Sequence, residues 1–495
     1  MPRPGQVPSA TVPSPARYIK ESFRKPSRRL PPAWERRSSP ERACPAAGKA
    51  PAGHQRMGLR PPQTYHRLEI AEMNKKTVRD VELKGKKVVM RVDFNVPLNA
   101  EHQITDDTRI KAAEPTIKYV LEQGAALILM SHLGRPKGKG YEADFSLKPV
   151  RDYLAKDLNL DVQFADDCQN ADAQAAALQP GQVLMLENTR FYKAEEGKVK
   201  KTDEMSDEEY AAKKAEMKAK KQQMAEKLST YGDVYVNDAF GTAHRDHAST
   251  ASIAKYMKAK GCPSVAGFLL EKEINFLGNA VENAVHPFVA IIGGAKVSGK
   301  LEVLQNLMKK VDAILIGGGM AYTFLKAQGH QVGKSLVEED LLETAKATLA
   351  DAKANNVDFV LPVDNLAADK FDNEAAITVV EDEIPADLMA LDIGPKTIQK
   401  YSDIIAKAKT IVWNGPMGCF EMSNFAKGTF GVCQAVAEAT EKNGAISVIG
   451  GGDSVSAVNK SGLAPKMSHI STGGGASLEY LEGKVLPGVA ALDDK

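Results

Sequence analysis

The chain has 495 residues, 43% of them hydrophobic and 26% charged, a composition ordinary for a globular protein and a length that suits two or three domains. No apolar run approaches the roughly 20 residues that a membrane-spanning helix needs. The formal net charge of +2 hides an asymmetry: residues 1–72 hold 14 Lys and Arg against 5 Asp and Glu, leaving 51 against 58 elsewhere, so the body is mildly acidic and gives no bulk signal for a nucleic-acid partner.

Residues 1–72 also hold 13 prolines and little hydrophobic periodicity. Such a segment buries too little apolar surface to offset its ordering entropy, and we expect it to be disordered. It is rich in Arg, Ser and Ala, with no acid before Glu21. This fits an organelle transit peptide of plastid or mitochondrial type, although the prolines argue against an amphipathic import helix. The five cysteines (Cys44, Cys168, Cys262, Cys419, Cys433) are few, odd in number and scattered. That speaks against a disulfide framework or a zinc site and for a reducing compartment. The cytoplasm is therefore the expected location, with an organelle as the alternative.

From Lys86 the text changes. KVVMRVDFNVP, ALILMSHLGRP, VLMLENTRF and VYVNDAFGTAHR are short apolar, β-branched runs ending in polar residues, with helix-like segments such as Thr108–Gln123 between them. Strands alternating with helices predict a parallel sheet. The stretch Glu195–Lys227 is rich in Lys, Glu, Ala and Met and reads as an exposed helical insertion without chemistry. Residues 267–283 place Leu269, Leu270, Ile274, Leu277 and Val281 at helical spacing, the pattern of a connector between two lobes.

Beyond that helix the signature differs. PFVAIIGGAK, AILIGGGMAY, TIVWNGPMG, ISVIGGGDS and HISTGGGAS are strands running into glycine-rich turns. Glycine lets backbone N–H groups turn toward a ligand, and a following helix starts with partial positive charge. One such turn is often only a tight turn; five in one half point to phosphate or nucleotide binding. The expected architecture is α/β: two lobes, each with a doubly wound parallel sheet, a mid-chain helix joining them and an open cleft between.

Ligands of open α/β sheets bind beyond the carboxyl ends of the strands. In the first half those ends carry Asp93 and Asn95, then His132 and Arg135, then Arg190, then His244 and Arg245, while Arg109 precedes a predicted helix. Four arginines converging there would form a cationic pocket whose planar guanidinium forks match carboxylate and phosphate oxygens. Each alone is as readily a surface ion pair. The second half offers Lys296 and Lys300, four residues apart and, on a helix, over one spot. It also offers Asp453 beside Gly450–Gly452, a plausible Mg²⁺ ligand or a helix cap. Two near-matches to the P-loop fail. Gly294–Lys300 has Leu301 where a hydroxyl belongs, and Gly329–Ser335 is one residue short. No catalytic triad order or metal-spaced histidine cluster is present. The chemistry indicated is electrostatic stabilisation of a phosphoryl group in transfer.

Nine blocks in order resemble one family, phosphoglycerate kinase: RVDFNVPL, SHLGRP, ENTRF, GDVYVNDAFGTAHR, GGAKVSGK, LIGGGMAYTF, VWNGPMGCFE, GGGDS and STGGGAS. The resemblance covers about residues 74–492 and implies reversible Mg-dependent phosphoryl transfer between 1,3-bisphosphoglycerate and ADP, giving 3-phosphoglycerate and ATP, by a monomer. By matching position it implies that Asp93, Asn95, Arg109, His132, Arg135, Arg190 and Arg245 hold phosphoglycerate. It further implies that Gly294, Lys296, Lys300, Gly318, Asn414, Glu421, Gly450, Gly451, Gly452, Asp453 and Ser454 hold the nucleotide, with Asp453 on Mg²⁺. Arg109, Lys296, Lys300, Gly451 and Gly474 are implied to act on the phosphoryl group in flight. The implied domains are residues 73–262 for phosphoglycerate, a connecting helix at 263–283, residues 284–470 for the nucleotide, and a segment 471–495 returning to the first lobe. Departures are few: Asp246 where alanine is common, Ser454 for threonine, and Gly299 for an acid. A dead paralogue that only binds would be expected to lose Arg109, Lys300 or Asp453, and all three are present.

Overall fold

The computed structural model describes residues 74–495. The reading of residues 1–72 as a disordered or transit segment lies outside them.

Six strands form the first sheet: β1 (Lys87–Arg91), β2 (Ala126–Met130), β3 (Val162–Ala165), β4 (Val183–Leu186), β5 (Val234–Asn237) and β6 (Ser264–Ala266). They are all parallel, in the order β3-β4-β2-β1-β5-β6. The second sheet contains β7 (Phe288–Ile292), β8 (Ala313–Ile316), β9 (Asp358–Val360), β13 (Thr410–Asn414), β14 (Ile446–Gly450) and β15 (His469–Ile470), again all parallel, in the order β15-β14-β13-β7-β8-β9. Between β9 and β13 lies a three-stranded antiparallel sheet of β10 (Asp364–Ala368), β11 (Ile377–Glu381) and β12 (Met389–Ile393). The two doubly wound sheets match the sequence expectation; the antiparallel sheet was not expected, because its strands DNLAA, ITVVE and MALDI are each broken by Asp, Asn, Thr or Glu and run into no glycine-rich turn like those of the parallel strands.

The strand sequences explain their place. Val88, Val89 and Met90 of β1, and every residue of β2, β4 and β7, are buried, as a sheet covered on both faces requires. Strand order reverses between β1 and β5 in one sheet and between β7 and β13 in the other. Those two switch points are where an open α/β sheet leaves a crevice for ligands. No helix among the described residues is long and apolar enough to cross a membrane. Cys168, Cys262, Cys419 and Cys433 are free thiols.

The connector helix spans Phe268–Glu282 and buries Leu270, Ile274, Leu277 and Val281, but also Glu273. Asp238, just past β5, accepts the Leu269 and Leu270 N–H groups at 2.8 and 3.1 Å and so anchors the helix's first turn to the first sheet. Glu273 reaches the second sheet, accepting from Thr472 N at 2.7 Å and meeting His469 Nε2 at 2.8 Å. The last residues return to the first sheet: Gly488 N donates to Ala243 O, and Lys76 N to Asp493 O, both at 2.8 Å.

The lysine-rich stretch is less simple than its composition. It forms a short helix, Lys193–Glu196, and a long one, Asp207–Leu228, opened by a Ser206/Glu209 capping box. The middle is exposed, as expected. Its two ends are not: Glu195 is fully buried, as are Met224, Ala225 and Leu228.

Candidate functional site

The carboxyl edge of the first sheet is built on β1. Arg91, its last residue, is fully buried and spends its donors inside the protein. Nε donates to Ser249 Oγ at 2.8 Å, Nη1 donates to the Val92 carbonyl, and Nη2 lies 3.2 Å from His132 Nδ1. Its counter-charge is Glu195, 3.9 Å away. The Glu195 carboxylate also accepts from Ser249 Oγ at 2.5 Å, Ser249 N at 3.0 Å and Thr189 Oγ1 at 3.2 Å. A charge taken wholly from water needs this paired, hydrogen-bonded setting.

Above that floor sit the predicted residues. Arg109 Nη1 donates to Asp93 Oδ2 at 2.6 Å. Asn95 Oδ1 accepts the Gly134 N–H at 2.7 Å, which shapes the loop after β2. Arg190 Nη1 donates to the Gly134 carbonyl at 2.9 Å, and Arg190 Nε pairs with Glu196 at 3.2 Å. Arg245 Nε donates to His244 Nε2 at 2.9 Å, so that ring carries its proton on Nδ1, which is buried and without a partner among the described residues. Arg135 is exposed and has no ion pair among the described residues. Burial, reinforced by Arg91, Arg190, Arg109 and Arg245, holds His132 well below the usual histidine range. Burial and then Arg245 bring His244 down to about 4. Both rings are therefore neutral at pH 7, and the 3.7 Å approach of His132 to Asp93 is a contact rather than an ion pair. The positive charge belongs to the arginines.

The edge of the second sheet works differently. Its glycine turns fall into two kinds. After β7, β8 and β13 the turns are knitted to one another: Gly293 N donates to Asn414 O, Gly294 N to Pro416 O and Gly318 N to Met417 O. Gly318, at φ +69°, lies against the Gly294 backbone, where no Cβ would fit. The expectation that these N–H groups face a ligand is thus corrected; the glycines there permit close approach of three turns. After β14 and β15 the N–H groups of Gly451, Gly452, Gly474 and Gly475 make no hydrogen bond among the described residues, and helices Gly452–Lys460 and Gly475–Leu481 begin there.

Lys300 reaches Asn414 Oδ1. Burial pulls its ammonium down to about 8, opposed by Asp453 and Glu482. The Asn414 Nδ2 group is buried without a partner among the described residues and faces Gly451. Ser454 is buried, and its Oγ accepts the Gly415 N–H at 2.5 Å. Asp453 is exposed in the first turn of its helix and makes no hydrogen bond among the described residues; the cap position is Gly451, so the capping alternative does not hold. Lys296 is not stacked on Lys300. Residues 293–300 form a turn, and the helix starts only at Leu301 (Leu301–Leu307), so a spacing of four carries no helical meaning there. Lys296 is exposed, and its charge acts on Glu338. Glu421 is also exposed and forms no bond to the other predicted residues.

The two edges meet. A cavity of about 480 Å³ is lined by Pro97, Thr108 and Arg109 from one side and by Gly452, Thr472 and Gly474 from the other. Free backbone N–H groups at two helix starts and one guanidinium therefore face the same space, a setting that stabilises charge on a transferring phosphoryl group. Sequence reasoning missed Arg91 and Glu195. A charged residue closing an apolar strand was the available signal for the first; nothing local marked the second.

The phosphoglycerate kinase family model matches residues 78–484. The chain belongs to the phosphoglycerate kinase family. It is 55% identical to the phosphoglycerate kinase of Prosthecochloris aestuarii over 425 residues, covering 85% of this chain and all of the relative, and 52% identical to that of Lactobacillus gasseri, covering 86% and all. The structure of phosphoglycerate kinase from Coxiella burnetii superposes with a TM-score of 0.72 at 40% identity, covering 84% of this chain and 98% of that one. The activity is that of the family, ATP:3-phosphoglycerate 1-phosphotransferase, and the alternative of an inactive binding paralogue finds no support.

Proposed function

We propose that the arginine edge of the first sheet holds phosphoglycerate, that the second sheet's edge holds the nucleotide, and that Arg109 bridges the two during transfer. The observation that carries this is the shared cavity, in which Arg109 faces Gly452 and Gly474. In the ATP-consuming direction the attacking atom is a carboxylate oxygen of 3-phosphoglycerate, ionised at neutral pH, so no general base is required. An acyl O–P bond forms, the bond from the γ-phosphorus to its bridging oxygen breaks, and ADP leaves with the electron pair. Arg109 moves from Asp93 to the phosphoryl oxygens. Asp93, Asn95, His132, Arg135, Arg190 and Arg245 bind and orient the acceptor. Lys300 and Asn414 offer donors to the nucleotide phosphates, together with the free N–H groups of Gly451, Gly452 and Gly474. Lys296 and Glu421 are exposed and make no hydrogen bond to these groups among the described residues.

Among the described residues no group of three His, Cys, Asp or Glu could cage a metal. A carboxylate that suits one is Asp453, which has no hydrogen-bond partner among the described residues and lies beside the Gly450–Gly452 turn. That donor set fits Mg²⁺ arriving with the nucleotide, its remaining ligands being phosphate oxygens and water, where it neutralises and orients the phosphates. The site is complete within one chain, which supports a monomer, and the free thiols support the cytoplasm. Calorimetry on Asp453→Ala tests the assignment: Mg-nucleotide binding should weaken at least about tenfold while 3-phosphoglycerate binding is kept. Equal loss for both ligands would remove Asp453 from the metal.

A further inference from the structure

The turn after β7 carries both Lys296 and Lys300. Gly293 and Gly294, at its start, are knitted to the neighbouring turns. Further along, Val297 is buried beneath it, but Ala295, Lys296, Ser298 and Gly299 are exposed. The space that a Cβ would take at Gly299 is empty. No packed side chain therefore restrains the residue beside Lys300, and glycine adds backbone freedom there. The brace comes from a different element. Glu338 lies between the helix Met320–Ala327, which follows β8, and the single turn Glu339–Leu341. Its N–H donates to the buried Thr323 Oγ1 of the first of these at 3.1 Å. Its carboxylate accepts both donors of Ser298, the N–H at 3.0 Å and the hydroxyl at 2.6 Å. One residue thus ties the turn after β7 to the helix after β8. Desolvation pushes the Glu338 carboxyl up, but the bonds from Ser298 and the charge of Lys296 outweigh it and hold the group below the usual carboxylate range. It is ionised at neutral pH, and hydrogen bonds to an ionised acceptor are the strong kind.

We propose that Glu338 is a positioning residue for phosphoryl transfer: acting through Ser298, it sets the turn that presents Lys296 and Lys300 to the nucleotide phosphates. A turn that samples several shapes presents its lysines only part of the time, and the apparent affinity falls by that fraction. A carboxylate that takes two bonds from the turn, and is itself anchored to a packed helix, removes this loss before the nucleotide arrives. Once the nucleotide is bound, its phosphates hold the lysines themselves. The effect therefore falls on the KM for ATP, while kcat and the KM for 3-phosphoglycerate stay put. The proposal rests on the reading of Lys300 as a phosphate ligand.

The test joins amide hydrogen exchange of residues 293–301 in the full chain, read by mass spectrometry, to the coupled assay. Glu338→Ala should speed exchange in that turn at least about tenfold. It should raise the KM for ATP at least about fivefold and leave kcat and the KM for 3-phosphoglycerate within about twofold. Ser298→Ala, which keeps its N–H bond to Glu338, should show a smaller rise. The double variant should match Glu338→Ala alone, because Ser298 then has no bond to that carboxylate left to lose. Gly299 is outside the left-handed region and its Cβ would meet open space, so Gly299→Ala should restrict the turn and recover part of the ATP affinity lost in Glu338→Ala. A merely structural role for Glu338 would not produce that rescue. Unchanged exchange or an unchanged KM for ATP in Glu338→Ala, equal rises for both substrates, or an additive double variant overturns the proposal. Lys300→Ala tests the nucleotide reading separately. An unchanged KM for ATP there overturns that reading, whereas a raised one beside an unaffected Glu338→Ala overturns the positioning role alone.

Discussion

The two six-stranded sheets are close to the same construction, yet their ligand edges recognise anions by opposite means. At the first, the work falls to long side chains held up by a buried floor of Arg91, Glu195 and Ser249. At the second, it falls to backbone, with three glycine turns knitted together and two left open at helix starts. Guanidinium forks discriminate the shape of a small carboxylate and phosphate molecule. Backbone donors fit any phosphate chain and leave selectivity to other contacts. The difference predicts that the first edge is sensitive to charge substitutions reaching deep below the pocket. The second should be sensitive to turn geometry.

The sharpest break in this comparison is Arg109, a first-edge arginine that also lines the cavity shared with the open turns of the second. Arg109→Ala should cut turnover on the order of 10³-fold in a coupled assay, while nucleotide affinity by calorimetry is nearly unchanged. Near-wild-type turnover would end its bridging role. Next comes the floor. Glu195→Ala strands Arg91 as an uncompensated buried charge, and urea denaturation should show a loss of about 3 kcal/mol, with a higher KM for 3-phosphoglycerate and an unchanged KM for ATP. A double variant replacing Arg91 by Met as well should recover part of the stability. If the single variant is as stable as wild type, the floor does not depend on this pair.

These residues also mark how far the sequence could be read. The two sheets were legible because fully buried parallel strands are continuous apolar runs, and Arg135, Arg190 and Arg245 because each stands just past such a run. Arg91 hid inside one, reading as a strand residue. Glu195 hid in a lysine-rich stretch, and its partner is remote in the chain, so no local pattern could expose it. Lys296 was misplaced for a different reason: a spacing of four has meaning only once a helix exists, and there the chain turns instead. The five glycine turns looked alike because composition does not reveal which N–H groups a neighbouring turn has already taken.

At the second edge the buried lysine gives a pH test. Burial brings Lys300 down to about 8 from 10.5. Between those values the unfolded chain keeps a proton that the native state has released, so this group's contribution to stability rises with pH across that window. Phosphate binding runs the other way, because the ammonium is lost. For the free enzyme, kcat/KM for ATP should fall above about pH 8, and Lys300→Arg should move the fall at least about one pH unit upward, its guanidinium remaining charged. A wild-type profile flat from about pH 7 to 10 would show that Lys300 does not meet the phosphates as a cation.

The smallest expected effect is also the most specific to turn geometry. Ser454 Oγ accepts the Gly415 N–H and so ties the turn after β13 to the helix that starts after β14. Ser454→Ala leaves a buried N–H without an acceptor, which should cost about 1 kcal/mol in urea denaturation and raise the KM for ATP modestly, with no change for 3-phosphoglycerate. Ser454→Thr keeps the acceptor and should restore both. If alanine shifts the two substrates equally, the tie is a general packing contact. If only ATP responds and threonine rescues it, the second edge depends on how its turns are held in register, as the first depends on the charge beneath it.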